Sequence, residues 1–209
     1  MMMLVALLGP MVGCGATEVV DREPGGRAIL IRSPQPDEGD IRELHARHGV
    51  KTVINLRGER PDESWFEDEQ AGVRAIGAEW VHIPLNTADA PDEAHVRRFL
   101  ELVDDPKRRP VLLHCQGGIH RTGVLTAVYR MARNGWSNDD ALREMEDHWF
   151  NWGVTDREGI KDYVRRFDRS RYPDPNPPGE PQAGFRFADP GAAGSKPSGP
   201  ASAKPATRP

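Results

Sequence analysis

The stretch that most restricts the fold is VLLHCQGGIHRTGVLTAV, residues Val111 to Val128. A proline-bounded apolar run, Pro110–Cys115, reads as a buried strand. Gly117 and Gly118 then allow a tight turn, and Val124, Leu125, Val128 and Met131 fall on one face of a helix that follows Arg121. A strand that passes through a glycine turn directly into a helix is the building unit of an α/β sheet. In such sheets ligands sit beyond the carboxyl ends of the strands, near helix N-termini.

The preceding chain repeats the alternation. Ala28–Arg32, Lys51–Arg57 and Glu79–Leu85 read as strands, and Asp40–Gly49, Glu63–Gly77 and Asp92–Asp105 as helices. The last helix carries Val96, Phe99, Leu100 and Val103 on one stripe. Two further helices start at Ser137 and Thr155, each with an acidic residue three positions on, Asp140 and Glu158, to complete a capping box. The expected fold class is therefore α/β: a central, largely parallel sheet of four to five strands flanked by helices.

A chain of 209 residues suits one such domain, placed at residues 27–172. Ten of the 19 prolines lie between Pro173 and Pro209, among Gly, Ala and Ser, so residues 173–209 are expected to be disordered. Residues 15–26 read as a polar linker. The apolar run at residues 1–14 is too short for a membrane span and reads as a signal peptide. Its end, Met11-Val12-Gly13-Cys14, resembles a bacterial lipobox with Cys14 as the lipidated residue, although no Lys or Arg precedes it and Met stands where Leu is usual. An exported, membrane-anchored lipoprotein of the periplasm or cell surface follows; the alternatives are an uncleaved apolar N-terminus and, if the N-terminus is misassigned, a cytoplasmic protein. The net charge of -4 excludes a strongly basic nucleic-acid binder, and a monomer is expected. Two cysteines cannot form a disulfide framework.

The question is then why Cys115 stands at the strand–turn junction. Successive amides of a glycine-rich turn form an anion-binding nest, and the helix behind it adds the positive end of its dipole. Both favour thiolate. Arg121, at the start of the helix, has a planar fork that matches two phosphate oxygens. Thr122 can donate its hydroxyl to the sulfur. Gln116, Gly117, Gly118, Ile119 and His120 complete a phosphate-binding loop, and His114 stands at the strand end before it. His114 and His120 lack a third ligand at metal spacing, so neither a metal nor another cofactor is expected.

His114-Cys115-Gln116-Gly117-Gly118-Ile119-His120-Arg121-Thr122-Gly123 resembles the Cys-x5-Arg-[Ser/Thr] signature of the protein tyrosine phosphatase superfamily. RSPQPDEGDIRELHARHGVKTVINLRGE, from Arg32 onward, is similar to the opening of the atypical dual-specificity branch. The resemblance covers about Arg32 to Tyr172. It implies metal-free hydrolysis of phosphate monoesters through a phosphocysteine on Cys115, with Arg121 and the loop amides holding the equatorial oxygens. The substrates implied are phosphotyrosine, phosphoserine or phosphothreonine proteins. It also implies that His114 supports the loop through hydrogen bonds and that an aspartate acid lies on the loop Asn86–His95. Asp89 is favoured there; Asp92 is the rival, but it opens a helix, where a carboxylate serves as a cap.

Other readings stay open. Inositol phosphate or pyrophosphate phosphatases of this kind often carry loop lysines, and here Gln116 and Ile119 stand in such places. Arg57 and Arg60 could add positive charge but read first as surface arginines. Trp149, Phe150 and Trp152 read as packing residues. A rhodanese-like sulfurtransferase also places a loop cysteine at a helix N-terminus, but Arg121-Thr122 favours phosphate over persulfide. An inactive phosphate-binding module is the last alternative.

Overall fold

The computed structural model describes residues 17–86, 89–149 and 158–175. Five strands and six helices follow in the order β1 (Glu18–Arg22), β2 (Ala28–Ser33), α1 (Glu38–His48), β3 (Thr52–Asn55), α2 (Ser64–Ile76), β4 (Glu79–His82), α3 (Glu93–Asp104), β5 (Val111–His114), α4 (His120–Arg133), α5 (Asn138–Trp149) and α6 (Glu158–Arg165). The strand order is β1-β2-β5-β3-β4. β5 is parallel to both neighbours and β3 to β4, while β1 runs antiparallel to β2, so the sheet is mixed only at one edge.

Strand alternation builds two cores. Leu30, Ile54, Val111 and Leu113 face the cluster that includes Phe99 of α3, Leu125 of α4 and Met145 of α5. Their neighbours Ile31, Val53 and Leu112 face Ile41 and Leu44 of α1 and Val73 of α2. A strand buried on both faces needs a continuous apolar run, and β2, β3 and β5 are buried along their whole length.

Residues 18–22, expected in a linker, instead form β1. Val20 is buried and Tyr129 donates to Asp21 at 2.7 Å, which ties this edge strand to α4. The EVVDR segment is short, with only Val20 buried, so its own sequence hardly distinguishes it from a tether. α1 begins two residues before its expected start because Asp37, not Asp40, is the cap: the two form a reciprocal box, with the Asp40 amide donating to Asp37 at 2.8 Å. β3 ends at Asn55, short of Arg57, because the Arg57 amide turns to the Asn55 side chain at 2.6 Å. Ser137 does cap α5, accepting from the Asp140 amide at 3.1 Å. The Thr155 cap, Phe150 and Trp152, the Trp149 side chain, the Cys14 segment and the tail beyond residue 175 lie outside the described residues.

Candidate active site

His114 ends β5 in the middle of the sheet, paired with Ser33 of β2 on one side and Asn55 of β3 on the other. Three parallel strands thus end at one level, and Cys115 follows directly beyond them. Its side chain is buried, with 3 % exposure, in the floor of the turn that leads into α4.

The turn is held open by its neighbours. The Gln35 amide donates to the Gln116 carbonyl at 3.0 Å, and Arg32 Nη2 donates to the Gly118 carbonyl at 2.7 Å. In a trans peptide the carbonyl and the next amide point in opposite directions. Pinning these two oxygens therefore turns the Gly117 and Ile119 N–H groups away from the flanking Ser33–Gln35 segment. Gly118 has φ +67°, and a Cβ there would sit 2.7 Å from the Ser33 carbonyl and the Pro34 nitrogen. Only glycine combines that backbone with that approach. α4 begins at His120, one residue before the expected start, and Ile119 at its cap position supplies no side-chain acceptor. The start of α4 thus has no capping side chain at Ile119 and presents the positive end of the helix dipole to an anion.

These groups act on the sulfur. Burial pushes the Cys115 thiol up, but the Thr122 hydroxyl, the Thr122 amide, Arg121 and the Gly118 amide together outweigh it, and the net shift is downward from an ordinary thiol. The Thr122 hydroxyl lies close enough to favour the thiolate without making a hydrogen bond of ordinary geometry. Arg121 Nη1 touches the Leu56 carbonyl at 3.4 Å, while its buried Nε has no partner. Among the described residues no carboxylate pairs with Arg121, so the guanidinium can grip an incoming oxyanion. No trio of His, Cys, Asp or Glu suited to a metal ion occurs among the described residues.

His114 is fully buried beneath the loop. Its Nδ1 faces the Cys115 carbonyl at 3.4 Å and its Nε2 faces Glu69 Oε1 at 3.3 Å, an ion-pair distance without good hydrogen-bond alignment. Glu69 was not singled out in the sequence. It accepts from Asn55 at 2.9 Å and 3.0 Å, from Gln35 at 2.8 Å and from Trp80 at 2.6 Å. Burial raises its pKa, but His114, Gln35 and Trp80 outweigh that, so Glu69 stays ionised below the usual carboxylate range. The missed signal was positional: Glu69, Gly72 and Val73 share the buried face of α2. Arg32 was also missed as a site residue, although a charged residue within an all-buried strand needs a partner.

Other candidates separate. Gln116 is exposed, Gly117 and His120 are half-buried, and Ile119 is buried. Asp92 caps α3, accepting from the His95 amide at 2.8 Å, and also pairs with the His95 ring. Asp89 is exposed and accepts from Asn86 at 2.7 Å. Arg60 is a surface residue 4.0 Å from Glu63. Arg57 is not: its guanidinium lies 3.6 Å over the Trp65 ring and donates to Gln35 at 2.9 Å.

A cysteine above the central parallel strand, cradled by a glycine turn and followed by an arginine at the helix start, defines the cysteine-phosphatase fold. Residues 16–160 match the family model described as a DSP-PTPase phosphatase fused to NAD+ kinase, and the chain belongs to that dual-specificity phosphatase family. It is 34% identical over 143 residues to dual specificity protein phosphatase TpbA of Pseudomonas aeruginosa, covering 66% of this chain and 59% of that one. The chain thus spans about three fifths of that relative's length. The crystal structure of P. aeruginosa TpbA superposes with a TM-score of 0.51 at 32% identity, over 68% of this chain and 82% of that chain. The catalytic core of the PP-IP phosphatase SIW14 from S. cerevisiae, solved with citrate, gives 0.57 at 23% identity over 68% and 82%, a likeness of fold alone.

Proposed function

We propose that this protein is a cysteine-dependent phosphatase that hydrolyses phosphate monoesters, acting on phosphotyrosine, phosphoserine or phosphothreonine proteins. One observation carries the reading: Cys115 lies buried at the head of α4 among loop amides and the Thr122 hydroxyl that favour thiolate, beside an arginine with no carboxylate partner among the described residues. The TpbA likeness supports the protein-phosphatase class.

In the first step Cys115 thiolate attacks phosphorus, an S–P bond forms, and the bond to the leaving oxygen breaks. Asp89 supplies the proton that this oxygen needs; Asp92 is committed to the α3 cap and to His95. Arg121 and the loop amides stabilise the equatorial oxygens, where charge must be held as bonds change. Water then attacks the phosphocysteine, Asp89 carboxylate takes its proton, and phosphate and thiolate are released. Thr122 steadies the departing sulfur. The arginine and the uncapped helix start favour phosphate over persulfide chemistry. Vanadate-sensitive hydrolysis of p-nitrophenyl phosphate, absent in Cys115→Ser, is the test; a variant with wild-type turnover would refute the assignment.

The same proposal places the enzyme outside the cytoplasm as a monomer without nucleic-acid partners, held to a membrane through lipidated Cys14. It rests on the N-terminal sequence pattern and on net charge. Mass analysis of the mature N-terminus tests it: an acylated Cys14 is expected, and an intact unmodified Met1 would contradict it.

A further inference from the structure

Arg57 has an environment that surface exposure does not explain. It stands two residues past the end of β3, beside the strand that leads to Cys115. Both its side chain and its backbone are held in place. The Trp65 ring lies under the guanidinium at 3.6 Å, the Gln35 side-chain oxygen takes one Nη at 2.9 Å, and the residue's own amide is held by Asn55 at 2.6 Å. Its carbonyl accepts from His82 at 2.6 Å. Gln35 in turn donates to Glu69, which faces His114, so the same network anchors Arg57 and the phosphate loop.

Fixing a long cation in this way costs side-chain entropy and hydration. No carboxylate among the described residues forms an ion pair with Arg57 to offset that cost. Arg121 touches the carbonyl of Leu56, the residue next to Arg57. Burial pushes the Arg57 guanidinium down from its ordinary pKa, and Arg121 adds to that, while Glu63, Cys115 and Glu69 act in the opposite direction without outweighing the two. Two neighbouring arginines, neither in an ion pair with a carboxylate among the described residues, suit an anion larger than one phosphoryl group.

From this geometry we infer that Arg57, clamped by Trp65 and Gln35, is a specificity-determining residue that binds a second phosphate group carried by the substrate beside the scissile one. The inference rests on the proposed phosphatase site, with Arg121 taking the reacting group. Arg57 then takes the neighbouring group through its free nitrogens. A substrate with one isolated phosphate leaves this subsite to water.

The test uses the full chain carrying Cys115→Ser and reads binding rather than turnover. Calorimetry with inorganic pyrophosphate and with orthophosphate is expected to show pyrophosphate about tenfold tighter or more, as a charge-assisted pair implies. Adding Arg57→Gln is expected to bring the two affinities within about twofold of each other. Arg57→Lys, which keeps charge but loses the stacked fork, should fall between. Arg60→Ala, at the exposed arginine, should preserve the preference. Equal affinities in the parent, an unchanged preference in Arg57→Gln, or equal weakening of both anions would each overturn the inference. The last result would mark Arg57 as structural only. Failure of the phosphatase reading registers separately, as absent p-nitrophenyl phosphate turnover by wild type.

Discussion

Glu69 and His114 face each other at 3.3 Å under the phosphate loop, and neither side chain reaches solvent. A buried carboxylate persists only when donors surround it, and here Asn55, Gln35 and Trp80 supply them. The pair joins α2 to the end of β5, so the position of Cys115 depends on a helix that carries no proposed catalytic group.

Glu69→Gln tests that dependence. The amide keeps the volume but brings a donor among donors, and a loss of about 3 kcal/mol is expected in urea unfolding at neutral pH. The pH dependence has a definite sign. Glu69 is depressed when folded, so its stabilisation is full above the unfolded carboxylate range and fades as pH falls through the lower folded value. Wild type should therefore lose stability on acidification more steeply than the variant. Parallel acid profiles would show that Glu69 is not the ionised hub.

Alkylation of Cys115 reads the loop's electrostatics. The rate of reaction with iodoacetamide should rise through a midpoint below that of an ordinary thiol. Thr122→Val removes the hydroxyl with little change in shape and should move the midpoint upward. A midpoint at or above the ordinary value in wild type would mean that burial prevails over the amides and Arg121.

Gly118→Ala places a methyl group against Ser33 and Pro34 at positive φ. Strain and overlap together should cost about 3 kcal/mol, or the loop should shift and forfeit the Arg32 bond. Thermal unfolding and p-nitrophenyl phosphate turnover should both fall. Wild-type values for both would contradict the close approach of the loop to β2.

The two loop aspartates should separate by leaving group. Asp89→Asn should reduce turnover of alkyl phosphates far more than that of p-nitrophenyl phosphate, whose phenolate needs little protonation. Asp92→Ala should cost about 1 kcal/mol of stability through its lost cap and leave the leaving-group dependence intact. The reverse pattern would move the acid to Asp92.

Local chemistry was readable where the signal was short-range. β5, the glycine turn and α4 follow from contiguous residues, and Asp92 reads as a cap from its neighbours alone. What the sequence hid depends on long-range pairing. The order β1-β2-β5-β3-β4 brings Arg32, distant in the chain, to the Gly118 carbonyl. Glu69 lies in an acidic run that resembles a solvated helix face, and its burial emerges only when α2 packs beside β3 and β4. Arg57 and Arg60 look alike as surface arginines, yet Trp65 and Gln35 capture only the first. β1 is too short to announce itself and gains its place from β2 and α4.

The central claim is that Cys115 carries the phosphoryl group. Acid-quenching the enzyme during turnover of p-nitrophenyl phosphate and mapping the peptides by mass tests it directly. The account predicts one added phosphoryl group on the peptide containing Cys115 in wild type, and none in Cys115→Ser. Continued hydrolysis by Cys115→Ser, or a phosphoryl group found on another residue, would contradict it.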